Sequence, residues 1–287
     1  MPLFSQPAAA GPMPTGAADV PAAGAPEVAA ARVRPAGQIL LAALVVALVP
    51  LFYLLSPPPT RAEQATRCVS TLHLAGPANI VLNCDSYEFA VVARDPSLLL
   101  TPAHKLRQAR PLYAVAGWVF GLPFRAAGVD RIAARVLGPS RAEFAAAAPE
   151  FAGFILLNGL LLVLALEVFR RTLGGARYSA AWMILPATLL AVNEVTKAFF
   201  WSPHQQLLNV LIPVGAIALY AWMQPRLGAL GWPRMAAIGV AIGLCELMYG
   251  AFAIVAAGAA LLCLADRASG VPLGRRLVRA AALLAAS

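Results

Sequence analysis

The sequence predicts an all-α fold: a polytopic transmembrane helical bundle with interfacial helices in a large first extracytoplasmic loop. Three observations predict it. Of 287 residues, 60% are hydrophobic and 12% charged, which leaves too little polar surface for a water-soluble domain. Several apolar runs reach the length of a bilayer span. The 22 lysines and arginines outnumber the 13 acids and gather at the ends of those runs, the pattern of loops flanking spans. A nucleic-acid partner is therefore not expected.

Residues 1–37 are rich in Pro, Ala and Gly without apolar period, and read as a disordered cytoplasmic tail. The transmembrane domain is expected over 38–287. Its first span is 39–55, with Arg32 and Arg34 before it and Ser56-Pro57-Pro58-Pro59 after it. A cleaved signal peptide is the rival, but no small-x-small site precedes the prolines, so a signal anchor with its N-terminus inside is favoured. The second span, 151–169, ends at Arg170, Arg171 and Arg177, which puts that end in the cytoplasm. Between them lies the extracytoplasmic loop 56–150. Its apolar stretch 111–124 reaches only about 21 Å as a helix, short of a bilayer core of about 30 Å, and is expected to lie on the outer interface.

Spans at 179–195 and 207–223 follow, the second delivering Arg226 and Arg234 to the inside. Residues 235–265 are apolar throughout with basic flanks, so one crossing would export Arg267, Arg275, Arg276 and Arg279. Two short or re-entrant helices meeting near Glu246 to Gly250 keep both ends inside. Residues 277–287 begin a partial span, and the chain is expected to be a piece of a larger protein. Localisation in the cell's inner membrane, multi-pass and with a cytoplasmic N-terminus, follows from this arrangement.

The outer loop holds the densest reactive side chains. The segment 83–96 reads as a short helix stopped by Pro96. Asp85, Glu88, Phe89 and Val92 share one face of it, with the two carboxylates at the helix start. Either a carboxylate is held at the membrane surface as a general base, or Asp85 and Glu88 form a capping box.

Asp85, an aromatic at Phe89, then Ala90 and Arg94, followed by Arg110-Pro111-Leu112-Tyr113, resembles the first outer loop of GT-C glycosyltransferases. The protein mannosyltransferase and lipid A aminoarabinose transferase branch is the most similar. The resemblance covers residues 85–113 and implies that Asp85 is the catalytic carboxylate and that the donor is a sugar on a polyprenyl phosphate. Where that family often has a second acid, this chain has Ser86. A divalent cation is thereby left open as a cofactor. No organic cofactor is expected, since no dinucleotide or P-loop glycine pattern occurs, and no zinc spacing is present.

The chemistry can be stated independently. Attack of an alcohol on a sugar phosphate needs a carboxylate to take the hydroxyl proton and cations to steady the departing phosphate. Asp85 suits the first role; Arg94, Lys105, Arg107 and Arg110 are candidates for the second. Arg110 is preferred because it precedes the interfacial helix at headgroup level, where it either meets substrate phosphate or anchors the helix to membrane lipids. Glu194 and Glu246 are expected at the same outer face, Glu194 with the alternative of pairing with Lys197. His204, in the aromatic-rich loop after Phe199, either binds sugar or phosphate or is solvated. Glu167 is expected to pair locally with Arg170 and Arg171. Cys68 and Cys84 form a disulfide worth roughly 3 kcal/mol or remain free thiols. Cys245 and Cys263 read as small apolar residues.

The reading that results is a membrane glycosyltransferase acting on an extracytoplasmic acceptor. A transporter or lipid flippase is the alternative, and a non-catalytic membrane scaffold is the third class. The first predicts loss of a cell-envelope glycan when Asp85 is neutralised.

Overall fold

The computed structural model describes residues 54–55, 60–62, 65, 69–75, 77–83, 85–101, 110–175, 188–189, 192–193, 196, 199–267 and 269–287. The expected tail, the 39–55 span apart from residues 54–55, and most of 179–195 lie outside the described residues, which are mostly helical.

They open on a two-stranded antiparallel hairpin that the reading of the sequence did not contain. Strand β1 is Val69–Ala75 and β2 is Ala78–Asn83, with Thr71 opposite Val81 and Val69 opposite Asn83. The signal is present locally: β-branched residues recur in both segments, and Pro77 sits between them. Cys68 and Cys84 lie outside the described residues, but each adjoins a member of the last register pair in the chain. Non-reducing peptide mapping of protein from an oxidising compartment is expected to recover the two cysteine peptides joined; two separately alkylated thiols would refute the bridge.

Helix α1, Ser86–Arg94, follows at once and stops at Asp95, whose carboxylate accepts from the Ser97 amide at 3.1 Å as Pro96 begins a 3-10 turn. Ser86, Phe89, Ala90, Val92 and Ala93 are all buried, so α1 is packed inside the molecule, with Asp85 at its entrance. Helix α2, Pro111–Ala126, starts with proline at its first position, where the missing amide proton costs nothing.

Residues 111–124 lie within α2, which packs in antiparallel sense along a longer helix, α5 (Ala148–Gly175). Gly117 faces the Phe154 ring, Gly121 faces Glu150, and Gly153 faces the backbone of Phe120 and Gly121. Small residues on both sides let the backbones approach closely. At the end of this contact Arg125 Nε donates to Oε1 of the fully buried Glu150 at 3.1 Å.

Gly128, at φ 72°, then turns the chain by 79° into α3, Val129–Leu137. Left-handed backbone of this kind favours glycine. Helix α3 leaves Ile132 and Val136 exposed on one side and Arg131 and Arg135 on another. The short α4, Ala142–Ala146, leads into α5.

Among the described residues two stretches are long and apolar enough to cross a bilayer: Ala148–Thr172 in α5, and Gln205–Arg226, which contains α6 (Leu208–Met223). The α2–α3 pair passes the same test only across its bend. On α5, Leu156, Leu160 and Leu164 are exposed four residues apart, the apolar stripe that lipid would cover. At its other end Glu167 bonds Arg170 at 2.6 Å and Arg171 at 2.5 Å, the local ion pair that the spacing predicts.

The apolar run 235–265 is not one helix. Helix α7, Trp232–Glu246, ends there, and a 3-10 turn at Gly250–Phe252 precedes α8, Ala253–Ala265. The Tyr220 hydroxyl of α6 donates to the Val255 carbonyl of α8 at 3.0 Å. Residues 277–286 belong to α9, Leu273–Ala286, which packs against both α7 and α8. Gly239 meets the Leu283 backbone and Gly243 meets Ser287, so α7 and α9 run in the same direction. Arg276 donates to the Leu264 and Asp266 carbonyls, at 2.9 and 3.1 Å, and closes the end of α8.

Candidate functional site

Asp85 is placed by a chain of backbone contacts rather than by helix capping. Ser202 Oγ donates to the Val81 carbonyl and accepts from the Asn83 amide, both at 3.0 Å, which ties the end of β2 to a loop more than a hundred residues away. Asn83 Oδ1 in turn accepts from the Asp85 amide at 3.0 Å, an Asx turn. Asp85 occupies the N-cap of α1, yet its side chain makes no capping bond. The capping-box alternative is therefore not what holds it. Its carboxylate is turned toward His204, with Oδ2 3.4 Å from Nε2.

The His204 side chain is 6% exposed and that of Asp85 44%, so the histidine is an inner wall and the aspartate faces an opening. Of the two alternatives for His204, burial excludes a solvated loop residue. Its Nδ1 accepts from the Gln206 amide at 3.2 Å. In a neutral ring the proton must then sit on Nε2, pointing at Asp85. The ring lies against Phe199 and Phe89, with centroids 4.8 and 5.9 Å away.

What holds this loop is Asn158, on the apolar helix α5 and fully buried. Its amide nitrogen donates to the carbonyls of Phe199, Phe200 and Ser202 at 3.1, 2.9 and 3.0 Å. Asn158 lies about 15 Å along α5 from the start of that helix. An asparagine at such depth is costly without partners; these carbonyls serve its amide nitrogen, while Oδ1 has no hydrogen-bond partner among the described residues. The sequence reading missed Asn158, Ser202 and Tyr249; the signal for Asn158 was a lone amide within a run of leucines.

Beneath the pair lies an aromatic floor. Phe89, Tyr113 and Phe154 are fully buried, with Phe89 to Tyr113 at 5.2 Å edge to face and Tyr113 to Phe154 at 4.9 Å. The Tyr113 hydroxyl has no hydrogen-bond partner of good geometry among the described residues, although the His204 backbone is near it. A buried hydroxyl left unpaired costs about 1–3 kcal/mol. Tyr113→Phe is expected to leave the thermal midpoint unchanged or raise it; a fall would mean that the hydroxyl has a partner that matters.

Arg110 stands at the entrance of α2 with its guanidinium 5.4 Å above the Tyr249 ring. The Leu112 amide donates to the Leu247 carbonyl at 3.2 Å, and Met248, Tyr249 and Phe252 pack on the Phe89–Tyr113–Phe154 cluster. The break after α7 is thus brought to the same end of the molecule as Asp85 and His204. Glu246, the last residue of α7, is half-buried beside this turn. Glu88 is half-buried in the first turn of α1.

Arg94 is not part of this group. It is the last residue of α1, about 13 Å from Asp85 along the helix. It instead lies near Tyr87, whose hydroxyl donates to Glu143 Oε2 at 3.1 Å. Burial and then this bond raise the Tyr87 hydroxyl above its usual pKa, with Arg94 opposing. Lys105, Arg107 and Glu194 lie outside the described residues. Among the described residues no three His, Cys, Asp or Glu side chains are grouped as a metal would need.

No family model, curated protein or solved structure matches this chain.

Proposed function

We propose that this chain is the catalytic part of a polytopic membrane glycosyltransferase of GT-C type. It would move a sugar from a polyprenyl-phosphate donor to a hydroxyl acceptor outside the cytoplasm. One observation carries the reading: a half-exposed aspartate whose side chain makes no capping bond, with Oδ2 3.4 Å from Nε2 of a buried histidine whose Nδ1 accepts from a backbone amide. The outer-loop motif at residues 85–113 supports the same assignment, and the two span-length helices support the membrane setting.

In this mechanism the acceptor oxygen bonds to the anomeric carbon while the bond from that carbon to the phosphate oxygen breaks. Asp85 takes the hydroxyl proton. His204 holds the carboxylate in place through its Nε2–H, as a positioning residue. The leaving phosphate departs with its bonding electrons, and Arg110 pairs with it. Phe89, at the edge of the aromatic floor, backs the His204 ring.

The test is sugar transfer by the purified, reconstituted chain with and without Asp85→Asn. It runs beside an envelope-glycan profile of cells carrying each form at equal protein level. Loss of transfer and of one glycan supports the enzyme. An unaltered glycan profile with normal protein level would favour a scaffold or a transporter.

A further inference from the structure

At the end of α7 and α9 opposite to Asp85, a crevice of roughly 260 Å³ opens between the starts of the two helices. Its lining is Gly231, Trp232, Gly274, Arg275, Val278 and Arg279. The two glycines carry no side chain to fill it, and a methyl group built on Gly274 meets nothing within 4 Å. We propose that this crevice binds the phosphate headgroup of an anionic phospholipid, a proposal that rests on the membrane reading of the chain and not on its catalytic reading.

Charge is the first argument. The lining holds two arginines and no acid. Arg279 is half-buried and committed to the turn before α7, donating to the Leu227 carbonyl at 2.5 Å and the Gly228 carbonyl at 3.3 Å. Arg275 is exposed, and among the described residues no carboxylate pairs with it. Asp266, the nearest acid in the chain, accepts from the Ser269 amide instead. A guanidinium free to bond in bidentate fashion, backed by a second fixed cation, suits a phosphate diester. The positive ends of two helices running in the same direction add to the same potential.

Apolar surface is the second argument, and it selects lipid over a free anion. Around the crevice Trp232 is 63% exposed, Leu273 57%, Leu277 52% and Val278 58%. A soluble phosphate gains nothing from these side chains, whereas an acyl chain lying over them buries most of that surface. A tryptophan beside arginines is also the composition of the headgroup level of a bilayer.

Native mass spectrometry of the whole purified chain, offered dioleoyl phosphatidylglycerol or dioleoyl phosphatidylcholine, tests the site. Wild type is expected to retain one phosphatidylglycerol under conditions that strip phosphatidylcholine. Arg275→Gln is expected to weaken retention about tenfold, the loss of one charge-assisted contact. Arg275→Lys is expected to restore part of it, and Arg267→Gln, an exposed arginine outside the lining, to leave it intact. Equal retention by Arg275→Gln, equal weakening by Arg267→Gln, or retention of phosphatidylcholine would overturn the proposal. Displacement of the lipid by millimolar inorganic phosphate would also overturn it, by showing that the acyl contacts add nothing.

Discussion

Replacing Asp85 by Asn is expected to lower sugar transfer by about 10²–10⁴-fold, the usual contribution of a positioned general base, while the folded protein accumulates as before. The two halves of this expectation have separate grounds. Asparagine keeps the size of the side chain but cannot accept the hydroxyl proton. A capping aspartate would cost about 0.5–2 kcal/mol of stability when replaced by alanine, but Asp85 makes no capping bond and is 44% exposed. Little stability therefore depends on its charge. His204→Gln, which keeps an N–H donor in the loop, is expected to reduce transfer less than Asp85→Asn, because the proton acceptor itself remains. Wild-type transfer by Asp85→Asn in a reconstituted assay would remove Asp85 from the chemistry.

The second large effect is mechanical. Gly153→Leu is expected to lower the thermal aggregation midpoint in detergent sharply and to abolish transfer with it. A Cβ at Gly153 would stand 2.5 Å from the Gly121 nitrogen and 2.7 Å from the Phe120 carbonyl carbon. Both are backbone atoms, so no rotamer change relieves the clash, and the cost exceeds the 1–3 kcal/mol typical of overpacked cores. Relief requires α2 to move away from α5, and α2 carries Arg110 and Tyr113 at its other end. Gly159→Ala is the control on the same helix. Nothing lies within 4 Å of its added methyl, so it is expected to be neutral or to stabilise by about 0.5–1 kcal/mol through helix propensity. Equal loss from both variants would show that α5 tolerates no side-chain growth and that the α2–α5 interlock is not the cause.

Much of the helical layout was legible because apolar period and basic flanks are local properties. The run 151–169 lies within α5, the run 207–223 is α6 but for its first residue, and 235–265 divides after Glu246. The Glu167 pair with Arg170 and Arg171 was legible for the same reason, three and four residues on one helix face. The β1–β2 hairpin was signalled locally but outweighed by the surrounding helical pattern. That α2 packs closely on α5 was not legible, because the length of an apolar run says nothing of a distant partner. Gly117 meets the Phe154 ring and Gly121 lies against Gly153, on a helix some thirty residues further along.

Composition and period thus determined by themselves that this chain is helical, apolar and supplied with span-length segments, since burying hydrocarbon and pairing backbone amides within a segment need no distant partner. Tertiary structure alone decided that Asp85 meets His204. Their encounter depends on Ser202 clasping β2 and on Asn158 gathering three carbonyls of the intervening loop. Hydrogen bonds between groups so far apart in the chain leave no periodic trace. They form only because an amide and a hydroxyl, once enclosed in an apolar bundle, have no water to turn to.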